Sequence, residues 1–229
     1  MLSRDDVFTE LGIGPVWRLR EAAPAAPLSA PSSPLTAHAS PLTTWDALAE
    51  AVALCTACKL STTRTQGGLG VGDRHADWLI IGEAPGADED ARGEPFVGEA
   101  GKLLDAMLAA INLQRGNNVY ITNVLKSRPP GNREPEPDEI AACRPYLLAQ
   151  IELIQPRLIL ALGRVAAQSL LDTDETVGHL RGRVHPFQGV PLVVTYHPAY
   201  LLRKLSDKAR AWEDLCLARR TFASLPPES

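Results

Sequence analysis

The amino-acid sequence predicts an α/β fold, a three-layer α/β/α sandwich around a central, mainly parallel four-stranded sheet. Four short and mostly apolar runs are separated by helical patterns, and this alternation is typical of a parallel sheet covered by helices on both faces. The chain has 229 residues, of which 45% are hydrophobic. That is enough to bury one core of this kind with some appended sequence, and too little for two large domains.

Each predicted element follows from a local pattern. Thr43 or Thr44 caps a first helix that ends at Leu54. The strands are predicted over residues 78–81, 119–124, 158–162 and 192–196. The later helices are predicted over residues 99–111, 137–154 with a cap near Pro135-Glu136, 164–171 and 207–222. Because parallel strands point the same way, the loops after all four strands meet at one edge of the sheet, where open α/β sheets bind ligands.

The predicted domain covers residues 43–225, and a different kind of sequence precedes it. Residues 21–42 are rich in Ala, Pro and Ser and cannot form a core, so we expect a flexible linker. Residues 1–20 form a short amphipathic pattern. We expect this N-terminal segment to be a docking peptide for a replication or repair partner.

Charge and composition exclude several classes of protein. The net charge of −4 argues against a protein that coats nucleic acid without specificity, although the charge is uneven: residues 1–125 carry a net −6 and residues 126–220 a net +3. Four cysteines are few for a disulfide scaffold of this size. No apolar run approaches the about 18 residues of a membrane span, and no signal-peptide pattern precedes the domain. We therefore expect a cytoplasmic protein.

The cysteine pair Cys55-Thr-Ala-Cys58 needs an explanation of its own. It could be half of a metal site, a redox pair, or two incidental thiols at the end of a helix. A thioredoxin-like redox pair normally follows a strand, whereas this pair follows a helix. Metal ligation is therefore favoured over redox chemistry.

The loop after the first strand concentrates acidic side chains and carries one aromatic. Gly82 ends the buried strand abruptly, and the loop then holds Glu83, Asp88, Glu89 and Asp90. We expect these carboxylates at the ligand-binding edge, although a solvated acidic turn would have the same composition. Phe96, between Pro95 and Gly98, is either a stacking platform or a plug in the core.

The loops after the second and fourth strands bring basic and polar side chains to the same edge. Asn123 ends the second strand, and the loop after it carries Lys126, Arg128, Pro129, Pro130, Asn132 and Arg133. Stiff backbone and positive charge suit contacts with a phosphate backbone, and a merely solvated loop is the alternative. His197 ends the fourth strand beside the apolar pair Leu201-Leu202, although a lone histidine is more often structural than catalytic.

Four motifs at these strand ends, GEAPG, PFVGEAGKLLD, ITNVLKSRPPGNR and TYHPAYLL, in this order and at these spacings, resemble the family-four uracil-DNA glycosylases of the uracil-DNA glycosylase superfamily. The resemblance spans about residues 55–222. It implies a monofunctional enzyme that hydrolyses the N-glycosidic bond between uracil and deoxyribose in DNA by direct attack of water and leaves an abasic site. Such a reaction needs a base taken out of the stack and a pocket that reads its Watson–Crick edge.

The resemblance implies roles for individual residues. Phe96 is similar to the aromatic that stacks on the flipped base. Asn123 is similar to the amide that reads uracil, since one carboxamide can donate to a carbonyl and accept from a ring N–H. His197 would donate to the uracil oxygen on which negative charge develops. Glu83 and Asn132 would orient or activate the water between them, with no ranking of the two.

Further residues are implied by the same resemblance. Ala84 would line the pocket wall with its backbone, and Glu89 would crowd position 5 of the ring and so exclude the methyl group of thymine. Leu201 is similar to the wedge that fills the gap left by the flipped base, with core packing as its alternative. The residues expected to contact DNA, single- or double-stranded, are Lys126, Arg128, Pro129, Arg133, Leu201 and Arg203.

The chain departs from the family at its expected cofactor. Typical members hold a 4Fe-4S cluster on four cysteines, and Cys55, Cys58 and Cys143 match three of them. Ser127 occupies the fourth position, so the cluster could be labile, bound by three cysteines, bound through serinate, or absent. Cys216 is off the family spacing and is expected to pack. The glycosylase chemistry itself does not use the cluster.

Three hypotheses for function remain. The first is the uracil-DNA glycosylase, favoured because Glu83, Asn123, Asn132 and His197 are all present. The second is a module of the same superfamily that binds uracil-DNA or a replication partner with little turnover, which the N-terminal extension and the acidic first half would suit. The third, a general metal-binding scaffold, depends on the cysteine pair alone.

Overall fold

The structure, a computed structural model, describes residues 42–226. The predicted N-terminal docking segment and linker lie, apart from Leu42, outside the described residues, and so do residues 227–229. The expectations about those parts of the chain stay predictions.

Six strands form one mixed sheet in the described part of the chain. They are β1 (Val71–Gly72), β2 (Trp78–Gly82), β3 (Val119–Asn123), β4 (Leu158–Leu162), β5 (Val184–Phe187) and β6 (Val190–Thr195). Their order in the sheet is β1-β3-β2-β4-β6-β5. The four central strands are parallel, as predicted. The predicted count of four strands is wrong, because β1 and β5 add antiparallel pairs at the two edges.

Helices cover both faces of this sheet. Between residues 42 and 226 they are α1 (Trp45–Leu54), α2 (Ala87–Arg92), α3 (Glu99–Ala109), α4 (Pro137–Ile154), α5 (Arg164–Leu171), α6 (Val177–Leu180), α7 (Pro198–Arg203) and α8 (Lys208–Ala223). Short 3₁₀ turns cover Lys59–Thr62, Pro130–Asn132 and Leu205–Asp207. None of the helices described is both long and apolar enough to traverse a bilayer.

The central strand β2 shows why the three layers form. All five of its residues are buried, and successive side chains of a strand point to opposite faces. Leu79 and Ile81 pack in the core beneath α4 and α5, whereas Trp78 and Ile80 pack in the core beneath α3 and α8. A continuous apolar strand is therefore stable here only because both of its faces are covered.

Polar side chains fix the ends of two helices. The hydroxyl of Thr44 accepts a hydrogen bond from Ala47 N at 3.3 Å, so Thr44 is the cap of α1. The side chain of Glu139 accepts from the backbone N–H of Glu136 at 2.9 Å, and the reciprocal bond completes a capping box at the start of α4. This confirms the predicted cap near Glu136.

Strand order fixes where a ligand would bind. From β2 the chain forms β3 on one side and then crosses to form β4 on the other side, which creates a topological switch point at the carboxyl end of β2. Gly82 pairs with Asn123 in the register of these strands, and Gly163 follows β4 with its N–H bonded to Thr195 O at 2.8 Å. The ends of the four central strands thus meet at one edge.

Candidate active site

A cavity of about 680 Å³ opens at this edge. It brings together ten of the residues predicted from the sequence: Glu83, Ala84, Glu89, Phe96, Asn123, Pro129, Asn132, Arg133, His197 and Arg203. They come from the loops after β2, β3 and β6, so residues more than 100 positions apart in the chain share one wall. The volume lies within the range of about 300–1,000 Å³ that is typical of small-molecule sites in proteins.

Asn123 forms a deep polar point of the cavity. Its side chain is 4% exposed, and the carboxamide oxygen Oδ1 has no hydrogen-bond partner among the described residues. An orphaned buried acceptor costs about 1–3 kcal/mol, so its presence in a cavity wall indicates a ligand that donates a hydrogen bond there. Gly82 lies close to this oxygen, because a Cβ added there would be 2.4 Å from Oδ1. Only glycine leaves room for the amide.

Phe96 forms an aromatic wall beside that amide. The ring is buried at 7% exposure, and its atoms Cζ and Cε2 would lie 2.6 and 2.7 Å from a Cβ added at Gly82. The residue has φ = 57°, a left-handed conformation that is costly for a bulky side chain. Its ring centroid is 5.4 Å from that of His197, with an interplanar angle of 30°.

His197 faces the cavity as a neutral imidazole. Burial, and then the nearby Arg203 guanidinium, lower the pKa of His197 to about 4, against the opposing effect of Glu89. Its Nδ1 accepts a hydrogen bond from Ala199 N at 3.2 Å, so the proton of the neutral ring lies on Nε2. Gly163 allows this placement, because a Cβ there would lie 2.8 Å from His197 Cβ. His197 thus offers one N–H donor without a positive charge.

Glu83 shares the cavity with an ion pair. Burial, and then the charge of Glu134, raise the pKa of Glu83, whereas Arg164 lowers it. Arg164 and Glu134 form a salt bridge between the loops after β4 and β3, and both line the cavity. A carboxylate with a raised pKa is suited to binding a water molecule and accepting its proton.

Asn132 and the basic residues of its loop lie at the cavity rim. Asn132 adopts φ = 55°, and its Oδ1 accepts a hydrogen bond from Arg128 Nε at 2.8 Å. Arg133 donates to the Glu139 carboxylate through both terminal nitrogens, at 2.9 and 2.5 Å. The arginines therefore stiffen this loop from within. Their predicted contact with DNA stays a prediction.

The acidic residues of α2 separate into different roles. Glu89 lines the cavity and its Oε1 accepts hydrogen bonds from Val97 N at 3.0 Å and Gly98 N at 3.3 Å. Asp90 is buried away from the cavity and accepts from Thr65 N through both carboxylate oxygens, each at 3.0 Å. The short helix thus presents only one of its three acidic side chains to the cavity.

The structure does not support the predicted contact of the Lys126 side chain with DNA. Its side chain is 1% exposed, and Nζ donates to Thr122 Oγ1 at 2.8 Å, Asn123 O at 2.7 Å and Gln150 Oε1 at 2.5 Å. Burial lowers the pKa of Lys126 to about 7. With its three donors satisfied inside the protein, Lys126 supports the backbone of Asn123 from behind and does not line the cavity.

The structure likewise does not support the predicted wedge role of Leu201. Leu201 is 1% exposed and packs in the core beneath α3 and α8. The next residue, Leu202, is 42% exposed. Both leucines belong to α7, where successive side chains differ in direction by about 100°, so Leu201 is buried in the core and Leu202 lies at the surface. The core-packing alternative is correct for Leu201.

The cysteine positions do not form a four-thiol site. Arg64 lies beside Ser127 and Cys55. Its Nη1 donates to Ser127 Oγ at 2.9 Å, and its Nη2 donates to Ala53 O at 2.8 Å and to Cys55 O at 3.0 Å. Within residues 42–226 no group of three or more His, Cys, Asp or Glu side chains could hold a metal ion. Burial raises the pKa of Cys58 and of Cys143.

Sequence reasoning missed several residues of the cavity wall. Arg164, Glu134, Tyr196 and Tyr200 all line it. For Arg164 a signal existed, because a charged side chain directly after Gly163 at the end of a buried strand must lie at the ligand-binding edge. For Tyr200, whose hydroxyl donates to Asp207 Oδ2 at 2.6 Å, the sequence alone gave no such signal.

Several known proteins resemble this chain in sequence. The profile of the uracil DNA glycosylase superfamily matches residues 69–216. The type-4 uracil-DNA glycosylase of Archaeoglobus fulgidus is 46% identical over 165 residues, which are 69% of this chain and 82% of that protein. The type-4 enzyme of Thermotoga maritima is 42% identical over 167 residues, 72% of this chain and 86% of that protein. The type-5 uracil-DNA glycosylase of Thermus thermophilus is 33% identical over 153 residues, 56% and 67% respectively.

Proposed function

The chain belongs to the uracil DNA glycosylase superfamily, and we propose that its cavity excises uracil from DNA by hydrolysing the N-glycosidic bond. Water adds to the sugar carbon as the bond to the base nitrogen breaks. The products are free uracil and an abasic site. The observation that carries the proposal is the orphaned carboxamide oxygen of Asn123 at the base of an aromatic-walled cavity.

Uracil supplies what Asn123 lacks. The Watson–Crick edge of uracil offers one ring N–H next to a carbonyl oxygen, so the Asn123 carboxamide can accept the first and donate to the second. A flipped uracil stacked on Phe96 would place this edge toward the amide. Cytosine has an acceptor where uracil has the ring N–H, and it would leave Oδ1 unpaired.

His197 would stabilise the leaving base. As the glycosidic bond breaks, negative charge develops on a uracil oxygen, and the Nε2–H of a neutral imidazole can donate to it. A preorganised donor at such a position contributes about 3–4 kcal/mol to the transition state. The donor is fixed before substrate binds, because Ala199 N already engages Nδ1.

Glu83 would orient the attacking water. Asn132 Oδ1 already accepts from Arg128, so we assign the main water contact to Glu83, with Asn132 as a second polar neighbour. Lysine chemistry is not part of the proposal, because Lys126 is enclosed behind Asn123. The reaction therefore ends at the abasic site.

Glu89 and Leu202 would govern which substrate is accepted. Glu89 lies in the cavity wall with its carboxylate held by Val97 and Gly98, where it could obstruct the methyl group of thymine. Leu202 is exposed beside Arg203, and we propose it, in place of Leu201, as the wedge that fills the gap in duplex DNA.

We also propose that the chain works without an iron–sulfur cluster. The donor set is three thiols and the Ser127 hydroxyl, and that hydroxyl accepts a hydrogen bond from Arg64, whose guanidinium ties it to the end of α1. These residues do not fit a four-thiolate cluster. Nothing in the excision chemistry depends on one.

The direct test is release of free uracil from a uracil-containing oligonucleotide, single- and double-stranded, with a thymine-containing control. We expect uracil release that stops at the abasic site and leaves thymine in place. Asn123→Ala should lower the rate by at least about 100-fold without lowering the melting temperature by more than a few degrees, because the orphaned acceptor is removed as well. Binding of the uracil strand without release would favour a recognition module.

A further inference from the structure

The conformation of the Phe96 loop is not explained by its own sequence. Phe96 has φ = 57°, and an aromatic residue adopts this left-handed region only when the surroundings hold it there. The loop is also crowded: a Cβ at Gly101 would lie 1.7 Å from Phe96 O. Residues distant in the sequence must therefore supply the restraint.

Arg115 supplies that restraint on the carbonyl side of the loop. Its Nη1 donates to Pro95 O and its Nη2 to Phe96 O, each at 2.9 Å. Its Nε donates to Asp105 Oδ1 of α3 at 3.0 Å, which fixes the plane of the guanidinium. A planar fork aimed at two successive carbonyls is a geometry that lysine cannot reproduce.

The amide side of the loop is held separately. Glu89 Oε1 accepts from Val97 N and Gly98 N, so the peptide groups on both sides of Phe96 are engaged by charged side chains of opposite sign. Arg115 itself does not line the cavity. Any effect it has on the reaction must pass through the loop.

We propose that Arg115 is a positioning residue for uracil excision. It holds Phe96 in its strained conformation, so that the ring is presented to the flipped base as a preformed stacking wall. The inference rests on the proposed stacking role of Phe96. Without the fork, the loop relaxes and only a fraction of molecules is ready to bind, and the apparent affinity falls by that fraction.

The test compares Arg115→Ala and Arg115→Lys with wild type. Relief of this kind of strain corresponds to a factor of about 10–100 in population, so we expect KM for the uracil oligonucleotide and the inhibition constant of free uracil to rise by about that factor, with a smaller effect on kcat. Lysine can reach one carbonyl and should restore only part of the loss. Asp105→Ala, which frees the guanidinium plane, should give a smaller rise of the same kind.

A matched control separates positioning from general stability. Arg157 is also partly buried, donates to a backbone carbonyl, that of Pro226, and has its guanidinium 4.9 Å from the Phe222 ring. It lies at the opposite end of β4 from the cavity. Arg157→Ala should lower the melting temperature and leave KM and the uracil inhibition constant unchanged.

A double substitution identifies the route of the effect. In a Phe96→Ala background, Arg115→Ala should change the uracil inhibition constant by less than about twofold, because the wall it positions is gone. If the two effects multiply, or if Arg115→Ala and Arg115→Lys leave the constant unchanged in otherwise wild-type protein, the inference fails. If Phe96→Ala alone has no effect, the stacking role fails and the inference falls with it.

Discussion

Gly82→Ala tests the geometry of the pocket most sharply, because the three atoms nearest to the added methyl group belong to the two proposed base-binding walls. Its Cβ would lie 2.4 Å from Asn123 Oδ1 and 2.6 Å from Phe96 Cζ, about 1 Å closer than an ordinary contact. These nearest neighbours are side-chain atoms at the cavity, so the side chains must move while the sheet can stay in place. The substitution therefore displaces the pocket without cutting a hydrogen bond of β2.

The expected magnitudes differ for stability and activity. Overpacking of this kind costs about 1–3 kcal/mol, which lowers the melting temperature of a chain of this size by about 2–12 °C. A misplacement of about 1 Å in a reacting geometry costs about 100-fold in rate. Initial rates of uracil release and a thermal melt measure the two effects on the same sample.

The control for this substitution is Gly68→Ala. A Cβ at Gly68 would lie 3.4 Å from Pro85 Cγ and 3.8 Å from Lys126 O, which are ordinary contacts, so both rate and melting temperature should stay near those of wild type. Excision by Gly82→Ala within about twofold of wild type would refute the placement of uracil between Asn123 and Phe96.

Three further predictions follow from the same site. The pH profile of the excision rate should show no inflection near pH 6.5, because the pKa of His197 is about 4. The rate should instead fall as Glu83 is protonated, at a pH above the ordinary carboxyl pKa of 4.5. Glu83→Gln should remove this pH dependence. Protein purified anaerobically should contain neither iron nor sulfide and should still excise uracil. Stoichiometric iron in that sample would contradict the proposal that the chain works without an iron–sulfur cluster. Leu202→Ala should slow excision from double-stranded DNA more than from single-stranded DNA, and equal effects on the two substrates would argue against the wedge. Leu201→Ala should chiefly lower the free energy of unfolding, by about 2–5 kcal/mol.

The central strands could be predicted because each is buried on both faces, and burial on both faces requires a continuous apolar run that is visible in the sequence. The run Leu158–Leu162 has no polar residue, and all five positions are buried. The edge strands lack this signal: β1 has only two residues, and β5 contains Pro186, a residue that is depleted from strand interiors. Their pairing depends on the neighbouring strand and not on their own composition.

The sequence predicts which strand ends form the site, but it does not predict which way each side chain points. Asn123 and His197 reach the cavity because strand ends fix them. Lys126 follows Asn123 by three residues, and the acceptors that draw it inward are Thr122 Oγ1, the carbonyl of Asn123 and Gln150 Oε1 on α4, the last of which is 24 residues away in the sequence. Leu201 differs from Leu202 only by a rotation about a helix that the sequence did not reveal.

Three neighbouring residues of the pocket depart from the rules that ordinary protein interiors follow. Asn123 leaves an acceptor unpaired, Phe96 adopts a left-handed backbone, and His197 is kept neutral by burial. Each feature costs free energy in the folded protein alone, and on the proposed assignment the cost is compensated when uracil donates to Asn123, stacks on Phe96 or accumulates charge beside His197. The compact double-sided core and the charged groups around the loop, Arg115 and Glu89, hold these arrangements before DNA arrives. If the proposed roles hold, activity at this site depends on restraint from residues that never touch the base, and variants of those residues should lose affinity for uracil while the fold persists.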